Sequence, residues 1–169
     1  MTAQAKTMIS PAVLSANARQ QIDHWVQKYP PDQKQSAVIA ALTIVQDENG
    51  GWLTTELMDG VAAYLGMPKI AVYEVATFYT MFELEKVGRH KICVCTNISC
   101  MLCGSDEIMQ HLKQKLGIDV GQTTEDGKFT LKSVECLAAC GGAPMMQIGR
   151  DYHEHLTPQK VDDILAGLE

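Results

Sequence analysis

Two pairs of cysteines give this chain its clearest chemical feature. Cys95 and Cys100 are separated by four residues, and Cys136 and Cys140 by three. Each pair follows a stretch rich in β-forming residues, which places each pair in a short loop at the end of a predicted strand. Two such loops, each offering two thiolates, can close four sulfurs around one small inorganic centre.

The spacing of the first pair is one that iron–sulfur proteins use. A [2Fe–2S] cluster takes four cysteine thiolates, and C-x4-C is among its known ligand arrangements. A loop of this length can arch over a cluster and direct backbone N–H groups at the sulfurs, which stabilises the anionic centre. Behind the second pair, Gly141 and Gly142 would let the backbone pass close to a cluster without a side-chain clash. A helix capped by Ser105 would add its positive dipole end next to the first loop.

Two other chemistries fit some of the same residues. Zinc also takes four thiolates, usually from pairs spaced by two to four residues, and the spacings here do not exclude it. Cys100 and Cys103 form a CxxC pair, which is typical of dithiol redox chemistry but leaves Cys136 and Cys140 unexplained. The spacing favours iron and leaves both alternatives open.

The remaining candidate groups are interpreted as structural. Cys93 lies two residues before Cys95, on the same face of a strand, and is predicted to be a small core residue. None of the five histidines falls in a Rieske-type pattern, and the chain has no GxGxxG, Walker or nucleophile-elbow motif. There is no independent place for a nicotinamide or a flavin, so redox work would mean carrying electrons that another protein supplies.

The elements that must position the cysteines change in type near residue 89. Residues 10–82 show helical periodicity throughout, with Ser10 as a cap and Thr54 or Thr55 as another. Four helices are predicted, over residues 10–29, 32–46, 54–65 and 68–81. The fourth is predicted to carry the apolar residues Ile70, Tyr73, Val75, Phe78 and Met81.

From His90 onward, strands and helices alternate. The pattern predicts a strand over 91–95, a loop over 96–103, a helix from Ser105 to Gly117, a strand over 129–134, a hairpin over 145–153 and a last helix from Thr157. This order resembles the thioredoxin arrangement. We therefore predict an α+β chain in two parts, an N-terminal four-helix domain over 1–88 and a thioredoxin-like α/β domain carrying the cluster over 89–169.

The composition is that of an ordinary soluble protein. The 169 residues are 46% hydrophobic and 20% charged, and the net charge of −6 gives no basic surface for nucleic acid. The longest apolar run, 37–45, falls short of the roughly 20 residues that a bilayer span needs, and the N-terminus has no signal-peptide pattern. We expect a cytoplasmic protein without membrane insertion, in which six cysteines indicate metal before disulfides.

Several local motifs resemble those of one known family. The chain is similar to the small, thioredoxin-like [2Fe–2S] subunit of bacterial NADH–quinone oxidoreductase (respiratory complex I) in the segments 78–82, 94–97, 121–124, 136–146 and 155–158. The resemblance favours iron–sulfur chemistry over zinc and dithiol exchange. It implies that Cys95, Cys100, Cys136 and Cys140 ligate one [2Fe–2S] cluster, and that Cys93 is not a ligand. Cys103 is likewise outside the ligand motif.

The resemblance also implies partners. In that family a larger flavoprotein subunit binds NADH and FMN, and the two subunits form the electron-input end of the peripheral arm, on the cytoplasmic face of the inner membrane. Such a subunit is not catalytic alone. Related subunits serve NAD-linked hydrogenases and formate dehydrogenases, which the sequence separates poorly. A free thioredoxin-like [2Fe–2S] ferredoxin is a further alternative, although a free carrier has no use for apolar helix faces.

Overall fold

The structure, a computed structural model, describes residues 13–168. The chain divides into two compact units, Met1–Lys86 and Val87–Glu169, and each has its own hydrophobic core. Between residues 13 and 168 no helix is long and apolar enough to cross a bilayer.

The first unit is helical. Ser15 caps its first helix, since its Oγ accepts a hydrogen bond from the Ala18 N–H at 2.9 Å, and Thr54 caps the third in the same way through Leu57 at 3.2 Å. Gly66 ends the third helix in the left-handed conformation, with φ at 70°. The elements are α1 (Ala16–Val26), a 3-10 helix (Lys34–Ala37), α2 (Val38–Glu48), α3 (Thr55–Leu65) and α4 (Lys69–Phe78).

Three of these helices have limits that differ from those predicted. The predicted start at Ser10 lies outside the described residues, and within them α1 begins at Ala16. The predicted second helix is divided, because the polar stretch before Val38 forms a 3-10 helix whose N-cap, Gln33, makes no side-chain capping bond. Helix α4 ends before Tyr79, whose backbone is extended, so it does not reach residue 81.

Helix α4 leaves several of its apolar residues exposed. Ile70 and Phe78 are 63% and 77% exposed, and Met81, beyond the end of the helix, is exposed as well. Val72 and Ala76, one turn apart, are the buried residues instead. Most positions of this helix are apolar, so the hydrophobic pattern alone does not determine which face packs.

A nearly buried carboxylate joins α3 to α4. Asp59 Oδ2 accepts a hydrogen bond from Lys69 Nζ at 2.7 Å, and Oδ1 accepts one from the Tyr73 hydroxyl. Burial raises the pKa of Asp59, but the bonds from Lys69 and Tyr73 and the lysine charge outweigh it, so that pKa lies below its ordinary value. The hydrogen bond to Asp59 is the largest cause, and burial the second, of a rise in the pKa of Tyr73 to about 12. The folded state therefore stabilises the ionised form of the Asp59 carboxyl group.

We expect Asp59→Asn to destabilise the helical unit by about 1.5–3 kcal/mol at pH 7, the range for hydrogen bonds to a charged group. The folded pKa of Asp59 is depressed, so its contribution is present above the unfolded value near 3.9 and is lost as the pH falls through the lower folded value. The difference in the free energy of unfolding between wild type and Asp59→Asn should therefore become smaller in acid. Urea unfolding followed by tryptophan fluorescence, with both tryptophans in this unit, measures it. Asp32→Asn, in an exposed turn, is the control, and a pH-independent loss would contradict the expectation.

The second unit is a four-stranded mixed sheet with three helices among its described residues. The strands are β1 (His90–Cys95), β2 (Phe129–Val134), β3 (Met146–Ile148) and β4 (Asp151–His153), in the order β2-β1-β3-β4. β1 is parallel to β2 and antiparallel to β3, which forms the predicted hairpin with β4. The helices are α5 (Ile98–Leu102), α6 (Ser105–Leu116) and α7 (Pro158–Gly167).

The core of this unit lies between the sheet and the two longer helices. Ile92 of β1 and Leu131 of β2 are fully buried together with Leu112 of α6 and Val161 of α7. Thr157 caps α7 as predicted, with its Oγ accepting from the Lys160 N–H at 3.2 Å. Buried apolar residues on both sides of that cap keep the start of α7 against the core.

Three local predictions for this unit are wrong. Residues 96–103 are not all loop, because the Asn97 side chain accepts from the Ile98 N–H at 2.8 Å and starts α5. Ser105 does not cap α6: Gly104 holds the cap position with φ at 95°, and Ser105 is the buried first residue of the helix. Cys93 is only partly buried, because its strand neighbours take the inward positions.

Candidate metal centre

The first cysteine pair lies at the end of the central strand. Cys95 is the last residue of β1, and Cys100 is in α5. Both are buried, and together with Met145 they form a small apolar cluster of their own. Cys95 and Cys100 are close enough for each to shift the pKa of the other. The predicted pair is thus brought together by the helix that replaces part of the predicted loop.

The second pair leaves the neighbouring strand at the same edge of the sheet. In the parallel register of β1 and β2, Cys95 lies opposite Val134, and Cys136 follows two residues later. Cys140 begins a 3-10 turn, Cys140–Gly142. Both of these cysteines are exposed. Leu137 and Ala139, between the two cysteines of this pair, pack against the cluster of Cys95, Cys100 and Met145, so the two loops are in contact.

Backbone N–H groups act on three of the four cysteines. The Ala138 N–H donates to Cys136 Sγ at 3.3 Å. The backbones of Asn97 and Leu137 act to lower the pKa of Cys95, and that of Met145 acts to lower the pKa of Cys100. N–H donors near sulfur stabilise thiolate and tune sulfur-ligated clusters. Leu137 and Met145 lie far along the chain from the cysteines that they affect, so local spacing could not indicate these effects.

The buried pair is electrostatically unequal. Burial raises the pKa of the Cys95 thiol, but the hydrogen bonds from Asn97, Cys100 and Leu137 outweigh it, and that pKa is lowered. Burial, then the bond to Cys95 and its charge, raises the pKa of Cys100 to about 11, and Cys140 adds to the rise. Two thiolates here repel each other unless a cationic centre lies between them. The donor set therefore fits a cluster with ferric or ferrous iron.

The other two cysteines lie outside this arrangement. All six cysteines fall within residues 13–168, and none of them is in a disulfide there. Cys103 is exposed at the end of α5, and Cys93 is only partly buried in β1. Among the described residues, no three His, Cys, Asp or Glu side chains form a site for a single metal ion. A binuclear cluster has a different requirement, because each iron takes two protein thiolates and the bridging sulfides complete its shell.

The two glycines after Cys140 differ from each other in their surroundings. A Cβ built onto Gly141 meets nothing within 4 Å. A Cβ built onto Gly142 would lie 2.5 Å from Glu154 Cγ and closer still to the carboxylate carbon. The room that Gly142 leaves is therefore used by Glu154, twelve residues further along the chain. No local signal in the sequence could indicate this contact.

These features define a thioredoxin-like iron–sulfur protein, and comparison with known proteins agrees. The chain belongs to the thioredoxin-like [2Fe–2S] ferredoxin family, whose sequence pattern it matches over residues 22–169. It is 50% identical over 144 residues to the E subunit of NADH-quinone oxidoreductase from Rickettsia conorii (strain ATCC VR-613 / Malish 7), covering 85% of this chain and 86% of the relative. It is 46% identical over 150 residues to the second E subunit of NADH-quinone oxidoreductase from Rhizobium meliloti (strain 1021), covering 89% and 88%.

A solved structure supports the fold. A chain of the NAD⁺-reducing [NiFe]-hydrogenase in the H2-reduced state aligns with a TM-score of 0.67 at 19% identity, over 76% of this chain and 21% of that one. The predicted resemblance to the small [2Fe–2S] subunit of NADH–quinone oxidoreductase and the predicted thioredoxin-like domain are both confirmed.

Proposed function

We propose that Cys95, Cys100, Cys136 and Cys140 ligate one [2Fe–2S] cluster, and that the chain is an electron-transfer subunit of an NADH–quinone oxidoreductase. The observation that carries the proposal is the contact of the two cysteine loops, in which Leu137 and Ala139 of the second loop pack against Cys95 and Cys100 of the first. The relatives from NADH-quinone oxidoreductases are 46–50% identical to this chain over most of their length, which supports its assignment to that complex.

The residues of this chain hold and insulate the centre. When bound, a [2Fe–2S] cluster accepts and returns one electron. Buried Cys95 and Cys100 anchor the inner side, where Met145 excludes water from the sulfurs. The Ala138 N–H, which donates to Cys136 Sγ, would stabilise the added negative charge, and the exposed Cys136 side stays open to an electron donor.

The electron donor in this proposal is a separate flavoprotein subunit. The sequence carries no nucleotide-binding motif of its own, so NADH and FMN would bind to that partner, and this chain would not be catalytic alone. The complex would place it in the peripheral arm, on the cytoplasmic face of the inner membrane. The equivalent subunit of an NAD-linked hydrogenase or formate dehydrogenase would have the same local arrangement.

Native purification of the tagged full-length chain tests the proposal. We expect a brown protein with two irons per chain and an electron spin resonance signal of the [2Fe–2S] type after reduction. A flavoprotein with NADH dehydrogenase activity should co-purify, and quinone-reducing subunits would identify the larger assembly.

Each alternative gives a different result in that experiment. A colourless protein with stoichiometric zinc would refute the iron–sulfur assignment. A brown chain without any flavoprotein would indicate a free ferredoxin. Hydrogenase or formate dehydrogenase subunits in the preparation would move the chain to one of those complexes.

A further inference from the structure

The side chain of Glu154 lies directly against the second cysteine loop. A Cβ on Gly142 would lie 2.5 Å from Glu154 Cγ and 2.6 Å from its Cβ, and nearest to its carboxylate carbon. With a carbon–carbon bond of roughly 1.5 Å, the carboxylate carbon is therefore within about 4 Å of the Gly142 Cα. The carboxylate is thus a charge beside the loop.

The backbone fixes this contact in place. The His155 N–H donates to the Gly142 carbonyl at 2.7 Å, and the Leu156 N–H donates to the Pro144 carbonyl at 2.9 Å. Leu156 is itself buried in the core of the unit. Two hydrogen bonds and one buried side chain therefore hold the segment after β4 on the segment after Cys140.

Gly142 is the third residue of the 3-10 turn that Cys140 begins, so the carboxylate lies on the order of 10 Å from the Cys140 sulfur. A negative charge at this distance opposes the addition of an electron to an anionic centre. We propose that Glu154 is a positioning residue that lowers the reduction potential of the centre held by the four cysteines. This inference rests on the proposed cluster ligation.

The expected size follows from Coulomb's law. A unit charge about 10 Å away changes the one-electron reduction equilibrium about twofold in a water-like medium and about tenfold or somewhat more at a protein surface. Tenfold corresponds to 59 mV for one electron. One cation is close by, since Lys160 Nζ donates to the Glu154 carbonyl at 2.6 Å, and it partly offsets the carboxylate.

Redox titration of the cluster in the full-length chain, followed by electron spin resonance, tests the inference. Glu154→Gln should raise the midpoint potential, with a two- to tenfold increase in the one-electron reduction equilibrium constant. Glu154→Asp keeps the negative charge and should have a potential close to that of wild type. The matched control is Glu125→Gln, the same change at an exposed residue before β2, at the strand end opposite Cys136. It should leave the potential unchanged. The Glu154→Gln shift should shrink as salt is raised, because the carboxylate is exposed.

The outcomes separate this inference from the proposed function. An unchanged potential in Glu154→Gln with an intact signal would overturn the role of Glu154 and leave the ligation untouched. A wild-type chain without an iron–sulfur signal would overturn the proposed function itself. Should Glu154→Gln fail to keep the cluster, Lys160→Gln is the second test. It removes the neighbouring cation and should lower the potential, and an unchanged value there would also overturn the inference.

Discussion

Replacing Cys140 by serine should abolish the [2Fe–2S] signal, whereas replacing Cys103 by serine should leave it intact. Cys140 acts electrostatically on Cys100 and ends the loop that packs against Cys95 and Cys100. Without its thiolate one iron would lose half of its protein ligands. Cys103 is exposed at the end of α5 and is the matched control, since it undergoes the same substitution in the same unit.

Iron content and the electron spin resonance amplitude of the reduced protein measure this effect. We expect Cys140→Ser to retain little of either, and Cys103→Ser to match wild type, with far-ultraviolet circular dichroism showing that both variants fold. Loss of the signal in Cys103→Ser would mean that the ligand set is misassigned. An unchanged signal in Cys140→Ser would exclude Cys140 as a ligand.

Much of the fold is predictable because its signals are local. A capping residue needs only the next turn of its own helix, and Thr54 and Thr157 make the bonds that their positions predict. Gly66 and Gly117 end helices in the left-handed conformation for the same reason. The position of β2, over the predicted residues 129–134, also follows from a short pattern.

What could not be predicted depends on contacts distant in sequence. The apolar residues of α4 offer two faces, and packing against other helices selects the one with Val72 and Ala76. In the second unit, Gly104 takes a left-handed conformation that lets α6 follow α5 at once, so Ser105 is buried and does not serve as a cap. Local residue spacing indicates neither the buried face of α4 nor the conformation of Gly104.

The same distinction applies to the candidate centre. The four cysteines are readable from their spacing, but their unequal surroundings are not. Cys95 and Cys100 are buried, whereas Cys136 and Cys140 are exposed. This difference arises because α5 and the segment around residue 145 cover one side of the site. Burial on one side and exposure on the other is what a centre needs if it is to be shielded from water and still reached by a donor protein.

Truncating one buried leucine in each unit should show whether the predicted domains, 1–88 and 89–169, unfold separately. Leu42 of α2 and Leu131 of β2 are both fully buried, each in the core of its own unit. Leu→Ala at such positions costs about 2–5 kcal/mol, because a cavity is left where the side chain packed. Each variant is the matched control for the other.

Two probes distinguish the units. Trp25 and Trp52 both belong to the first unit, so tryptophan fluorescence during urea unfolding reports on that unit. Amide hydrogen exchange of β1, read by mass spectrometry, reports on the second. Leu42→Ala should lower the fluorescence midpoint and leave β1 exchange unchanged. Leu131→Ala should accelerate β1 exchange by about 30-fold or more, the equivalent of 2 kcal/mol, and leave the fluorescence midpoint in place. Parallel shifts of both probes in both variants would mean that the units unfold as one, because stability lost in either core would then be shared by the whole chain.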